Sequence, residues 1–107
     1  MSRAAERAAV FAALGDPTRL DLLARLPAGR GASISRLAAA LPMSRQAVTR
    51  HLQVLEAAGL IVSRREGRET RYAPQPQRLA EAGDWLAEVG AQWAGTLGRL
   101  KGHAEQG

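Results

Sequence analysis

A chain of 107 residues, 46% of them apolar and 23% charged, has room for one small domain with a thin core that gains from burying surface against a second copy. With no cysteine, disulfides, thiolate metal sites and cysteine nucleophiles are excluded, which suits a reducing cytoplasm. The net charge of +5 is uneven: residues 33–72 hold seven arginines against three glutamates, or +4, residues 1–32 carry +2, and residues 73–107 carry −1, so a polyanion would be met in mid-chain.

Residues 3–14 are alanine-rich and predict a helix with Val10, Phe11 and Leu14 on one side. Gly15-Asp16-Pro17-Thr18 breaks the chain and restarts it. Asp16 can accept from first-turn N–H groups, and Pro17 fits the first helical position, where its missing N–H costs nothing. The second helix runs to about Leu26, with Leu20, Leu22, Leu23 and Leu26 expected inward. Residues 27–32 contain three Gly or Pro and read as a loop. Ser33 or Ser35 then caps a short third helix through Ala40, with Ile34, Leu37 and Leu41 apolar. Pro42-Met43 cannot easily continue it, and the next cap, Ser44, follows at once.

Residues 44–59 carry the strongest signal. Val48, Leu52 and Leu55 recur at four and three residues and form one apolar stripe. Gly59 can close the helix in the left-handed conformation. The opposite face holds Arg45, Gln46, Thr49, Arg50 and Gln53, with no carboxylate before Glu56. Arg can grip guanine with two hydrogen bonds, Gln can do the same with adenine, and Thr suits bases or phosphate. A helix anchored on one side and armed this way on the other suits the DNA major groove; the plainer alternative is an ordinary solvated polar face. Two helices joined by a short turn make a helix-turn-helix over about 33–58.

After Gly59 the period changes. Residues 60–65 and 68–72 are short β-prone runs, with Glu66-Gly67 between them, so a hairpin spans about 60–73 and Gly67 supplies a positive φ. Glu66 suits a two-residue turn poorly, which points to a longer loop. Tyr72 belongs to the core of this hairpin. The last helix, about 77–102, places Leu79, Ala82, Leu86, Val89, Trp93, Leu97 and Leu100 at intervals of three and four, flanked by Trp85. Gly83, Gly90, Gly95 and Gly98 within it each cost roughly 1 kcal/mol against Ala, so it needs a surface to pack on.

The fold class is therefore mainly α with a small β-hairpin: a single winged helix-turn-helix domain over residues 1–107. At this point the chain resembles the ArsR/SmtB family, the arsenical-repressor-like bacterial transcription regulators. The run from Ala12 through Gly15-Asp16-Pro17-Thr18-Arg19-Leu20 to Leu23 is similar to the family's opening. Met43-Ser44-Arg45-Gln46-Ala47-Val48-Thr49-Arg50-His51-Leu52 is similar to its recognition helix, and Ala58-Gly59-Leu60-Ile61 with Gly67-Arg68 and Tyr72 to its wing. The match covers about residues 10–75 in order. The resemblance implies a homodimer with the first and last helices at the interface, a recognition helix in the major groove, and a wing near the minor groove or backbone.

Where relatives carry a Cys-Val-Cys metal motif, this chain has Ser33-Ile34-Ser35, and hydroxyls do not replace thiolates toward soft metals. The last helix offers Asp84, Glu88 and a single His103 rather than paired histidines, and His51 lies beside Val48 and Leu55, as a packed or phosphate-contacting residue would. Neither a metal nor another cofactor is expected. Scattered carboxylates, no Gly-rich phosphate loop and no obvious acid or nucleophile partner for either histidine argue against an enzyme. No apolar run approaches the roughly 20 residues of a membrane span, and no signal-peptide apolar region follows the charged start, so the expected location is the cytoplasm.

The expected partner is double-stranded DNA, read by a homodimeric repressor at a palindromic operator without metal response. Arg45, Gln46, Thr49 and Arg50 are the candidates for base contacts, Ser44 for a cap that also donates to phosphate, and Arg65 and Arg68 for the wing contact; Arg64 and Arg71 are weaker candidates. Phe11, Leu86, Val89, Trp93 and Leu97 are the candidates for the dimer interface. The inducer is left open between a small organic ligand, a partner protein and a change in protein concentration. The rival reading is a winged-helix protein-interaction or dimerisation module, against which the Arg45, Gln46, Thr49, Arg50 face discriminates.

Overall fold

Short polar side chains set where the helices begin. In a computed structural model that describes residues 2–106, apart from the side chains of Leu97 and of residues 99–106, four helices open on a side-chain cap. Ser2 accepts from the Ala5 N–H at 3.1 Å and starts α1 (Arg3–Leu14). Asp16 accepts from Arg19 at 3.0 Å and starts α2 (Pro17–Arg25), with Pro17 in the first turn. Of the two serines weighed for α3 (Ile34–Ala39), Ser33 is the cap, accepting from Arg36 at 3.2 Å, and Ser35 lies inside the helix. Ser44 accepts from Ala47 at 3.1 Å and starts α4 (Arg45–Ala57), which Gly59 closes at φ +80°.

Three strands form one antiparallel sheet in the order β1 (Ala32–Ser33), β3 (Glu69–Pro74), β2 (Ile61–Glu66). The two-residue β1, which pairs Ala32 with Tyr72 and Ser33 with Arg71, falls at the end of the stretch expected to be a loop. Gly31 makes this pairing accessible: at φ +76° it brings the chain so close to β3 that a Cβ would lie 2.0 Å from the Tyr72 carbonyl oxygen. In the hairpin, Glu66 stands opposite Glu69, so the loop is the two residues Gly67-Arg68, one position beyond Glu66-Gly67 and not the longer loop expected. Gly67 takes the positive φ of +61°, and no other residue type among those described needs one, so Glu66 stays in its strand.

The core joins all these elements. Leu22, Val48, Leu52 and Leu55 are fully buried, with Val10, Leu60 and Ile61 beside them and Tyr72 sealing the sheet. Leu20 corrects the reading of α2, since it is 50% exposed. It sits two residues from Leu22, about 200° around the helix, and cannot share the inward face that Leu22 and Leu26 occupy.

The last helix, α5 (Pro76–Gln106), is longer than the sequence predicted at both ends. Its first turns are fastened to the body by Ala82, which is buried, and by Trp85, whose ring lies 5.6 Å from that of Phe11 at 49°. Trp85, read as flanking the stripe, is thus the aromatic that meets α1. Arg7 stacks over the Trp85 ring at 4.9 Å, and Arg78 reaches both the Ala58 carbonyl at 3.3 Å and Glu6 at 3.7 Å. No helix among the described residues is long and apolar enough to cross a membrane.

Candidate nucleic-acid interface

Because Val48, Leu52 and Leu55 are wholly buried, α4 can turn only one face outward. Arg45, Gln46, Thr49, Arg50 and Gln53 border one shallow depression on that face. Gln46, Arg50 and Gln53 hold no hydrogen bond or ion pair among the described residues, so their donors and acceptors are available to an outside partner. Two members of the set are already engaged. Thr49 Oγ1 donates to the Arg45 carbonyl at 2.9 Å, which leaves its methyl group and lone pairs for a ligand. Arg45 Nη1 donates to Ser35 Oγ at 3.3 Å. The Ser44 hydroxyl oxygen serves the cap, while its proton can still go to an external acceptor such as a phosphate oxygen.

Geometry divides the wing arginines into two kinds. Arg64, Arg65 and Arg68 are exposed; Arg65 Nε makes a long 3.4 Å bond to the Gly67 carbonyl, and among the described residues Arg68 is unpartnered and Arg64 makes no hydrogen bond but lends its charge to Glu66. Arg71, only 19% exposed in its side chain, is a fastener instead. It donates to the Gly31 carbonyl at 2.8 Å and the Arg30 carbonyl at 3.3 Å, and lies 3.6 Å from Glu66. Arg30 donates to the same Glu66 oxygen through Nε and Nη2, at 3.1 and 3.0 Å. The Arg30 hydrogen bond, helped by the charges of Arg30, Arg71 and Arg64, holds the Glu66 carboxyl below its usual range despite some desolvation. Burial, with the Glu56 charge second, pushes the Tyr72 phenol up and keeps it neutral in the wing core.

One basic residue was not singled out from the sequence. Arg36 is exposed on α3, and its guanidinium holds no partner among the described residues. In a helix-turn-helix the first helix crosses the phosphate backbone, and a free guanidinium there suits that contact. Its position in the basic stretch was the available signal.

His51, by contrast, is a packed residue. Its Nδ1 lies 3.4 Å from Arg19 Nη1 and 3.9 Å from Asp16 Oδ2. Arg19 also donates to the Ala13 carbonyl at 2.6 Å and the Ala12 carbonyl at 3.3 Å, so it closes the C-terminus of α1 and ties it to α4. The Arg19 backbone N–H, with the charges of Arg19 and His51 behind it, draws the Asp16 carboxyl below its ordinary value. No group of three His, Asp or Glu able to hold a metal occurs among the described residues; the side chain of His103 lies outside them.

On α5, Leu86 is 52% and Trp93 68% exposed, and Val89 is half-buried. Phe11 is half-buried against Trp85. The side chain of Leu97 lies outside the described residues. The apolar stripe thus leaves the body of the domain after its first turns and faces outward.

A family model for a helix-turn-helix domain matches residues 7–64. The ArsR-like transcriptional regulator from Rhodococcus sp. RHA1 superposes with a TM-score of 0.76 at 45% identity, covering 91% of each chain. The HTH-type transcriptional regulator CmtR of Mycobacterium tuberculosis is 42% identical over 77 residues, which is 72% of this chain; the chain spans 64% of that relative's length. The homodimeric winged helix-turn-helix DNA-binding domain Mb0332 of Mycobacterium bovis superposes with a TM-score of 0.64 at 27% identity, covering 83% of this chain and 82% of its own. With the capped α3–turn–α4 unit, the basic hairpin and these matches, the chain belongs to the ArsR/SmtB family of winged helix-turn-helix transcriptional regulators.

Proposed function

We propose that this chain is a sequence-specific DNA-binding regulator that works as a homodimer, represses by occluding a promoter at a palindromic operator, and releases DNA without a metal signal. The observation that carries the reading is the outer face of α4, where Gln46, Arg50 and Gln53 stand unpartnered beside Arg45 and Thr49 over a fully buried opposite face. Arg64, Arg65 and Arg68 add a second cationic site at the wing. Dimerisation is supported by the outward Leu86 and Trp93 of α5 and by the homodimer described for the Mb0332 domain. Repression follows the family. Metal independence is supported by the engagement of both serines at the position of the relatives' cysteines: Ser33 caps α3, and Ser35 bridges Arg45 and Glu69.

The test is selection of a preferred duplex from a randomised DNA library, followed by titration at several salt concentrations. Affinity should fall steeply with salt because Arg–phosphate contacts release counterions. Arg65→Ala and Arg68→Ala should weaken binding to all sequences and reduce the logarithmic salt slope by about 1 each. A change of preference at one base pair, with the slope intact, would remove the wing from the backbone.

A further inference from the structure

Ser35 sits in the first turn of α3, exposed between two other elements. It receives a hydrogen bond from Arg45 Nη1 on α4 and gives one to Glu69 Oε1 on β3, both at 3.3 Å. A hydroxyl has one proton, and guanidinium has only donors, so the order is fixed: Arg45 to Ser35 to Glu69. Arg45 and Glu69 form no direct ion pair, so the serine is the link. Glu69 is also constrained from the other side. It stands opposite Glu66 in the ladder, a like-charge pairing that is unfavourable unless each carboxylate has its own donor. Glu66 has Arg30 and Arg71 for this purpose, which leaves Ser35 to Glu69.

We propose that Ser35 and Glu69 are positioning residues for Arg45. They hold its guanidinium on the α3 side of the reading face and couple the wing strand to the recognition helix. Base preference at the position Arg45 reads then depends on two residues that need touch no DNA. The inference rests on the DNA-binding reading above and deepens it.

The probe is the duplex selected by the wild-type chain, together with its set of single-base-pair variants. Ser35→Ala and Glu69→Ala should each lower discrimination at one base pair per half-site by on the order of 2- to 10-fold, the range for one net hydrogen bond. The other base pairs and the salt slope should be unchanged. In an Arg45→Ala background, Ser35→Ala should add nothing, whereas with Arg45 intact Ser35→Thr, which keeps the hydroxyl, should retain the preference. Urea midpoints should match wild type, since the bonds are exposed. Additive losses from Ser35→Ala and Arg45→Ala would overturn the relay while leaving the DNA reading intact. So would an equal loss on every sequence with base preference intact, which would make Ser35 a phosphate contact. A wild-type chain that selects no sequence would overturn both, and would do so before any variant is made.

Discussion

Replacing Gly31 by Ala tests the arrangement that holds the wing. Gly29 and Gly31 lie two residues apart in the same loop, with nearly equal φ angles of +74° and +76°. A Cβ in this region costs about 1–2 kcal/mol wherever it occurs. At Gly29 nothing lies within 4 Å, so that is the whole expected cost. At Gly31 the added atom would lie 2.0 Å from the Tyr72 oxygen, 2.6 Å from its carbonyl carbon and 3.0 Å from the Ala73 Cα. All three are backbone atoms that no rotamer can move, so loop and strand must part by on the order of 1 Å. This strains the Ala32–Tyr72 pairing and the Arg71 bond to the Gly31 carbonyl. Two such bonds contribute about 1–3 kcal/mol together, which brings Gly31→Ala to roughly 2–5 kcal/mol against 1–2 for Gly29→Ala. Urea unfolding with an unchanged m-value gives the comparison directly. Equal midpoints for the two variants would refute the claim that β1 is pressed against β3 at this glycine.

Gln46→Ala or Arg50→Ala should cost on the order of 1–3 kcal/mol on the preferred duplex and relax one base pair in each half-site; equal losses on random DNA would show phosphate contacts only. Trp93→Asp should give a monomer in sedimentation and abolish operator binding, and a folded dimeric variant that still binds DNA would move the interface elsewhere. Zinc, cadmium or arsenite titrated into the protein–DNA complex should release no DNA, and stoichiometric release at micromolar metal would defeat the metal-independent reading. Asp16 and Glu66 both have carboxyls held below ordinary values of 3.8 and 4.5, so their contribution is present above those values and lost as pH falls through the lower folded ones. Urea midpoints should therefore drop on the acid side of pH 5, and a Glu66→Gln variant should show a smaller drop; an identical acid limb would remove Glu66 from the account.

Features with local chemistry were legible in the sequence. Asp16, Ser33 and Ser44 each cap a helix through bonds that span three residues, and the Val48, Leu52, Leu55 stripe is set by the turn of a single helix. The exposed polar face of α4 followed from that stripe, since burying one side leaves the other exposed. Features joining distant segments were not legible. The strand at Ala32–Ser33 exists because β3 offers an edge some 40 residues later, and two residues carry no periodicity of their own. Arg71 stands in the sequence only as a weaker wing candidate, and its actual role was hidden because its acceptors, the carbonyls of Arg30 and Gly31, lie 41 and 40 residues away. Trp85 and Trp93 sit on the same helix, and only the position of α1 decides that the first is packed and the second exposed.

The charge count understates how basic the reading surface is. The three glutamates of residues 33–72 would offset three of its seven arginines if all were equally solvated. None of the three is spent on the outer face of α4. Glu56 accepts from both the N–H and the hydroxyl of Ser63, at 3.1 and 2.5 Å, and ties α4 to β2. Glu66 ties the end of β2 to Arg30 and Arg71, and Glu69 ties β3 to Ser35 of α3. Each carboxylate therefore fastens one element of the winged helix to another. Arg36, Arg50 and Arg68 are left with no protein partner among the described residues. The same acids that lower the net charge fasten the wing to α3 and α4, and the arginines they leave unpaired are available for the exchange of counterions for phosphate that the proposed function requires.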